Sequence, residues 1–283
     1  MLSYRHAFHA GNFADVLKHS VLTLVLEYMV RKDKGFTYVD SHSGAGMYSL
    51  NEEYAQKTGE YKDGIAKILA VSNDDDFPEA LMPYVELLQK LNAENSELEI
   101  YPGSPGIAKQ FMRRQDSAHL FELHPTDIQH LTEFCARWNK SHVKQSDGYK
   151  GILGLIPPPS RRGLVLIDPP YELKEDYTKA VKTIVKAYRK FTSGTYILWY
   201  PVVTRERINA MEKDFSRSDV KNLLQVEFCL HPDSEEYGMT GTGLFIVNPP
   251  WQLESQLSGI LPYLKAKLGE DQTTFTLKKL IEE

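Results

Sequence analysis

Two cysteines, Cys135 and Cys229, are all that 283 residues contain. Two thiols build neither a disulfide framework nor a dedicated zinc site. Long apolar runs are missing as well. The richest, residues 21–30, includes Glu27 and falls far short of the ~20 apolar residues a membrane-spanning helix needs. Arg5, His6, His9, Asp15 and Lys18 crowd the N-terminal segment, so no secretory signal is legible. The G-x-G-x-x-G dinucleotide fingerprint is also absent. These absences lead to the expectation of a cytoplasmic protein with no membrane contact and no metal, monomeric by default. At 42% hydrophobic and 25% charged residues, disorder, collagen and coiled coil are excluded as the dominant state.

The net charge of −5 conceals an asymmetry. Residues 51–100 hold twelve acids and four bases, so the rest of the chain is net positive by three. Bases cluster there as Lys109 with Arg113 and Arg114, Lys140 with Lys144, Arg161 with Arg162, and the run from Lys174 to Lys190. The ordinary reading of such a run is a solvated helix face. A phosphate-binding face is the alternative, because affinity follows the local patch and not the sum.

Along the chain, helical periodicity over 14–32 ends at Lys34-Gly35, and FTYVD (36–40) reads as a strand. The acidic block 51–100 is helical in pattern and breaks the alternation of strands and helices, so it is assigned as an inserted subdomain. The core is then 1–50 with 101–283. YPGSPG (101–106) reads as a turn before a short helix from Ile107. Strands are predicted at 118–122, 142–145, 164–168 and 195–200, with helices at 127–139 and 177–191 and a helical turn up to Ile156. A closing strand pair is predicted at 223–230 and 243–248. Alternation of this kind predicts an α/β fold: a mostly parallel sheet wrapped by helices, with ligands at the carboxyl ends of the strands.

The residues at the carboxyl ends of the predicted strands form a chemically ordered series. The first strand ends in Asp40, with His42 and a Gly44-Ala45-Gly46 turn; the second ends in Glu122. Asp147-Gly148 comes after the third, and Asp168-Pro169-Pro170-Tyr171 after the fourth. A carboxylate ending the second strand suits ribose hydroxyls, and Asp147 suits an adenine amino group. Singly, each acid is an ordinary strand-terminating polar residue; the aligned series makes a nucleoside-shaped site. With no diphosphate cradle, the ligand predicted is a phosphate-free adenosine such as S-adenosylmethionine.

The Asp-Pro-Pro-Tyr tetrapeptide suits chemistry on an adenine amino group, whose lone pair is delocalised into the ring. An Asp168 oxygen and the Pro169 carbonyl can both accept from that group and hold it toward a methyl donor. Tyr171 can stack on an extruded base. Asn248-Pro249-Pro250-Trp251 matches loosely, but it ends an antiparallel strand and reads as structural. His6, His9 and His19 lack the H-E-x-x-H spacing of a zinc helix and read as capping or surface groups.

MLSYRHAFHAGNFADVLKH, VDSHSGAG, GEYKDGI, YPGSP, SRRGLVLIDPPYE, LWYPVV and NPPW, spread in order over the whole chain, together resemble the ribosomal RNA large subunit methyltransferase J family. The resemblance implies a Rossmann-like S-adenosylmethionine-dependent methyltransferase sheet with an inserted small helical subdomain, acting on N6 of one adenine in 23S rRNA. It implies Asp168 as the catalytic acceptor and His19, His42, Ser104, Glu122, Asp147 and Gly148 as cofactor contacts. Tyr4 is implied as an RNA contact, joined by His6 and Lys18, with Pro169 and Tyr171 holding the base. Residues 4–9 are expected to act as a lid on RNA binding. SHSGAG carries fewer glycines than the broader methyltransferase motif, with His42 in the loop. Two alternatives stand beside this reading: a DNA adenine-N6 methyltransferase, and a non-catalytic RNA-binding ribosome assembly factor.

Overall fold

The computed structural model of the chain describes residues 5–95, 97–234 and 238–283. It begins with a 3-10 turn (His6–Phe8), α1 (Phe13–Val30) and β1 (Thr37–Asp40). An excursion comes next, through β2 (Met47–Ser49), α2 (Glu53–Thr58), α3 (Glu60–Asp63), α4 (Ile65–Ala70), α5 (Met82–Leu91) and β3 (Ile100–Pro102). Regular alternation then runs α6 (Ser104–Phe111), β4 (Ser117–Phe121), α7 (Asp127–Cys135), β5 (Ser141–Lys144), α8 (Gly148–Leu155) and β6 (Gly163–Ile167). It continues as α9 (Glu175–Lys190), β7 (Thr195–Val202) and α10 (Arg205–Ser216). The chain closes with β8 (Leu223–Cys229), β9 (Gly241–Val247), α11 (Leu253–Leu268) and β10 (Thr274–Ile281).

The main sheet has the order β10-β8-β9-β7-β6-β1-β4-β5. From β5 through β7 every neighbouring pair is parallel, while β9 runs against both β7 and β8, and β10 against β8. After β1 the chain steps outward to β4 and β5, then returns to lay β6 on the other side of β1. That reversal is the topological switch point of a doubly wound, Rossmann-like sheet, where ligands bind outside the carboxyl ends of the strands. β6 is GLVLI and buried throughout, as a parallel strand covered on both faces must be.

Two apolar layers cover the sheet. On one face lie α1, α6, α7 and α11 together with α4 and α5 of the excursion, in one continuous core. On the other lie α8, α9 and α10. α1 is buried around nearly its whole circumference, since it sits between the sheet and the helices of the excursion, and an apolar helix without a polar face has to be enclosed. The excursion leaves and re-enters through the antiparallel pair of Met47–Ser49 with Ile100–Pro102.

β2, α10 and α11 were left unassigned by the sequence reading, and two further places differ from it. YPGSPG is not a turn: Ile100–Pro102 is a strand and α6 starts at Ser104, three residues early. Pro105 stands in the first helical turn, where its missing N–H has no helical partner to lose, so it starts the helix instead of breaking it. The closing pair is also three strands. β10 is largely exposed and carries Lys278 and Lys279, a charged edge that hides the apolar alternation of a strand.

Asn248-Pro249-Pro250-Trp251 lies at the sheet edge opposite Asp168, because β9 is antiparallel to its neighbours. The Asn248 amide donates to the carbonyls of Thr192 at 2.8 Å and Gly194 at 2.7 Å, fastening the turn before β7. Its φ of 52° is in the left-handed region that asparagine tolerates better than alanine. Asn248→Ala is therefore expected to cost about 1.5–3 kcal/mol, read by calorimetry as a Tm lowered by roughly 3–8 °C.

Candidate active site

The switch point opens into one cavity, and its lining draws on distant parts of the chain. His6, Lys18 and His19 reach it from the N-terminal turn and α1; His42 follows β1, Ser104 opens α6, and Glu122 follows β4. Asp147 precedes α8, and Asp168 and Pro169 follow β6. Tyr171 lines an adjoining cavity that shares His6, Lys18 and Pro170 with the first. Gly148 does not line the cavity. A Cβ there would stand 2.0 Å from the Ser41 carbonyl, so glycine lets α8 start against the turn after β1. Tyr4 lies outside the described residues.

A buried row of charges crosses the floor. The Lys18 ammonium is 2.7 Å from Asp168 Oδ2 and 2.9 Å from Asp15 Oδ1. Asp15 Oδ2 in turn meets His6 Nε2 and the Gly11 N–H, each at 2.9 Å. Burial opposes the ionised Asp15, but the charges of His6 and Lys18 outweigh it and hold the carboxyl well below its usual range. Asn12 caps α1 by accepting from the Asp15 N–H at 3.0 Å. His19, one residue on from Lys18, bonds Tyr101 OH through Nδ1 at 2.7 Å, and Tyr101 OH meets Tyr84 OH at 2.7 Å. His19 is fully buried and not a capping or surface group: its Nε2 lies 3.9 Å from Asp15 Oδ1, on the same carboxylate that His6 bonds, while His9 is on Glu60 at 2.9 Å. Among the described residues no group of three or more His, Cys, Asp or Glu is placed to hold a metal ion.

On the other side of the cavity the polar groups are oriented by backbone donors. Glu122 accepts from the Gly44 N–H at 2.8 Å on one oxygen and from the His124 N–H at 2.7 Å on the other. Each carboxylate oxygen keeps a lone pair, a spacing that matches the two hydroxyls of a ribose. Burial raises the Glu122 pKa against those two donors and the Leu123 N–H. Ser104 donates its hydroxyl to Asp40 Oδ2 at 2.7 Å, where Tyr38 OH also donates at 2.8 Å. Asp40, fully enclosed, is pushed up to about 6 by burial. His42 takes Ser41 Oγ on Nδ1 at 2.7 Å, and burial drives it down to about 4, leaving a neutral imidazole.

Asp147 has a structural duty that its sequence position did not announce. One oxygen caps α8, accepting from the Tyr149 N–H at 2.9 Å and the Lys150 N–H at 3.3 Å. The other is 3.2 Å from the Lys179 ammonium. Despite burial, the Lys150 N–H and Lys179 together bring its pKa down. Tyr171 is likewise committed: its hydroxyl donates to the Trp199 carbonyl at 2.6 Å, and its ring lies 4.4 Å from that of Tyr177.

Asp15, Tyr101, Trp199 and Lys179 were not singled out from the sequence. Asp15 did leave a signal: with Lys18 and His19 at i+3 and i+4, it puts three ionisable groups into the first two turns of a mostly apolar helix. Tyr101 left none, since its partner is 82 positions away.

The sequence profile of the family described as ribosomal RNA large subunit methyltransferase D, RlmJ, matches residues 33–281. The chain is 47% identical to ribosomal RNA large subunit methyltransferase J of Escherichia coli K12, over 95% of this chain and 94% of the relative. It is 46% identical to the protein of the same name from Haemophilus influenzae, over 96% of each. A crystal structure of a protein from Legionella pneumophila superposes with a TM-score of 0.88 at 36% identity, covering 96% of this chain and 98% of the other.

Two stability measurements probe this arrangement. Asp15→Ala leaves the buried Lys18 with Asp168 as its remaining carboxylate and takes the acceptor from the Gly11 N–H, and is expected to cost about 2–4 kcal/mol, read from denaturant midpoints. His19 is pushed down to about 3 by burial, against 6.5 for a free imidazole. Below pH 6.5 the unfolded chain binds a proton at this residue that the folded chain refuses, so stability falls as the pH drops. His19→Gln is expected to reduce that fall between pH 6.5 and 4 by about 1.4 kcal/mol per pH unit at its steepest.

Proposed function

The chain belongs to the ribosomal RNA large subunit methyltransferase J (RlmJ) family, and from that premise we propose that it transfers a methyl group from S-adenosylmethionine to N6 of one adenine in 23S rRNA. The observation that carries the reading is a single cavity joining a ribose-shaped carboxylate, Glu122, to Asp168 and Pro169 at the end of β6. The named relatives supply the RNA: both are large subunit rRNA methyltransferases by name.

The residues fit a phosphate-free adenosine ligand. Glu122 has one free lone pair on each oxygen for the ribose hydroxyls, and no phosphate cradle is needed. The first turn of α6 starts at the cavity, with Gly103 and Ser104 in its lining, and a helix N-terminus suits a carboxylate. Lys18 and His19 border the same space. Asp147 Oδ2 reaches an adenine amino group by sharing its Lys179 partner. When bound, S-adenosylmethionine supplies an electrophilic methyl group.

The protein's own task is to present the amine. Lys18 occupies Asp168 Oδ2 and leaves Oδ1 to accept one N–H of the adenine amino group. The Pro169 carbonyl accepts the other. Two acceptors placed out of the ring plane turn the nitrogen lone pair toward the donor, which is catalysis by positioning with acid–base assistance. Proline at 169 and 170 fixes the backbone and adds no competing donor. Tyr171, Tyr177 and Trp199 wall the adjoining cavity, where a flipped base has aromatic surface to lie against. His6 stands between the two cavities, and Tyr4 precedes it as an RNA contact.

The test is methyl transfer from labelled S-adenosylmethionine to protein-free, unmodified 23S rRNA, digested to nucleosides. N6-methyladenosine is the expected product, and label in any other nucleoside would overturn the reading. Asp168→Ala is expected to lower kcat by at least about 10²–10³ while cofactor affinity stays within a few-fold. Glu122→Ala is expected to act in reverse, weakening cofactor binding measured by calorimetry. For the unaltered protein that binding should also weaken as the pH falls through the raised Glu122 pKa.

A further inference from the structure

A second groove opens beside the cavity, between α8 and α9, and four lysines line it against a single acid, Glu175. Lys150 comes from α8 and Lys179, Lys182 and Lys186 from α9, with Tyr149 and Lys179 shared between groove and cavity. Along α9, Lys179, Lys182, Lys186 and Lys190 recur at intervals of three, four and four, which aligns them on one exposed face. At 1.5 Å per residue the stripe is about 16 Å long. The opposite face of α9 is buried, so the helix has no freedom to turn the stripe elsewhere.

Two features separate this stripe from an ordinary solvated helix face. Like charges at i and i+4 repel, and the stripe is only thinly compensated. Lys179 pairs with Asp147 at 3.2 Å, whereas Lys150, Lys182 and Lys186 have no carboxylate within 4 Å among the described residues. The charge is also polarised across the molecule. The acidic helices of residues 51–100 pack in the core on one face of the sheet, and α8 and α9 in the core on the other. An anion approaching the cavity is repelled from the first side and drawn to the second.

We propose that the groove between α8 and α9 holds the phosphodiester backbone of the RNA strand flanking the methylated nucleotide, with Lys150, Lys182 and Lys186 each meeting a phosphate. The strand crosses the start of α9, where Tyr177 lines the cavity proposed for the base and the adjacent Thr178 and Lys179 line the groove, so one base enters beside Asp168 while its neighbours run down α9 outside. This rests on the reading of RNA as the substrate.

The test compares the unaltered chain with Lys150→Gln/Lys182→Gln/Lys186→Gln and with the triple Arg variant, which keeps the charge. Fluorescence anisotropy on a labelled fragment of unmodified 23S rRNA, over a series of salt concentrations, gives affinity and its salt slope. Three lost phosphate contacts are expected to reduce the slope of log K against log salt by about 2–3. KM for RNA should rise by about 10–100-fold with kcat and S-adenosylhomocysteine affinity unchanged, and the Arg variant should restore both slope and KM. An unchanged slope and KM in a Gln variant that binds S-adenosylhomocysteine normally would overturn the groove and leave the proposed function standing. If the unaltered chain binds the RNA without methylating it, the slope comparison still decides the groove while the enzymatic reading fails. A reduced slope with labelled duplex DNA but none with RNA would count against the proposal.

Discussion

Lys18 carries its charge into the interior, 4% exposed, between two carboxylates 2.9 and 2.7 Å from its ammonium. Neither Asp15 nor Lys18 could be ionised there alone, because a buried charge without a partner costs several kcal/mol. Together they form a row that starts at His6, passes through α1 and ends on the carboxylate after β6. The row joins the N-terminal turn, the first helix and the switch point of the sheet, three parts with no sequence proximity. Glu60 of α3 extends the tie, accepting from the Asn12 amide at 2.9 Å and meeting His9 at the same distance. The excursion is thereby linked to the cap of the helix that supplies Lys18.

Sheet topology does the rest of the assembly. Four parallel strands release their chains on one edge, so Asp40, Glu122, Asp147 and Asp168 converge without a dedicated contact between them. The antiparallel β9 releases Asn248 on the far edge, where the same Asx-Pro-Pro pattern serves a turn. Chain direction alone separates the two tetrapeptides. The covering layers divide the charge in a similar way: acidic helices over one face, lysines over the other, and the cavity at the edge between them.

β1, β4 and β6 were legible because each is a short apolar or aromatic run that ends at an acid, and β1 and β6, buried on both faces, have no polar alternation to blur them, whereas β5 is an alternating edge strand that ends three residues before Asp147. β10 was not legible, since an exposed edge strand with lysines looks like a loop or a helix end. The start of α6 was misread because Pro105 signals a turn unless its place in the first helical turn is known. At the site, residues at the ends of strands could be picked out from the sequence, whereas those that orient them could not. Tyr101 reaches His19, and Tyr38 and Ser104 reach Asp40, through contacts that exist only after the sheet has formed. The resemblance, and not periodicity, pointed to His19 and Ser104.

How each of these residues can serve a ligand also depends on how much of it is already engaged. Ser104 gives its hydroxyl to Asp40, Asp147 gives one oxygen to the α8 cap, and Tyr171 gives its hydroxyl to Trp199. What each group keeps uncommitted is the Ser104 backbone, the second Asp147 oxygen and the Tyr171 ring. Glu122 differs in being held by two backbone N–H groups, one per oxygen, so that its plane is set while both oxygens stay available. A site in which the acceptors are fixed before the ligand arrives has little reorganisation left to make during reaction. The same commitment explains why burial could raise Asp40 and lower His19 and His42 without disordering the edge. Each is held by a partner whose own position is set by the sheet, so the polar groups of the cavity form a rigid frame around the one carboxylate oxygen, Asp168 Oδ1, that Lys18 leaves free.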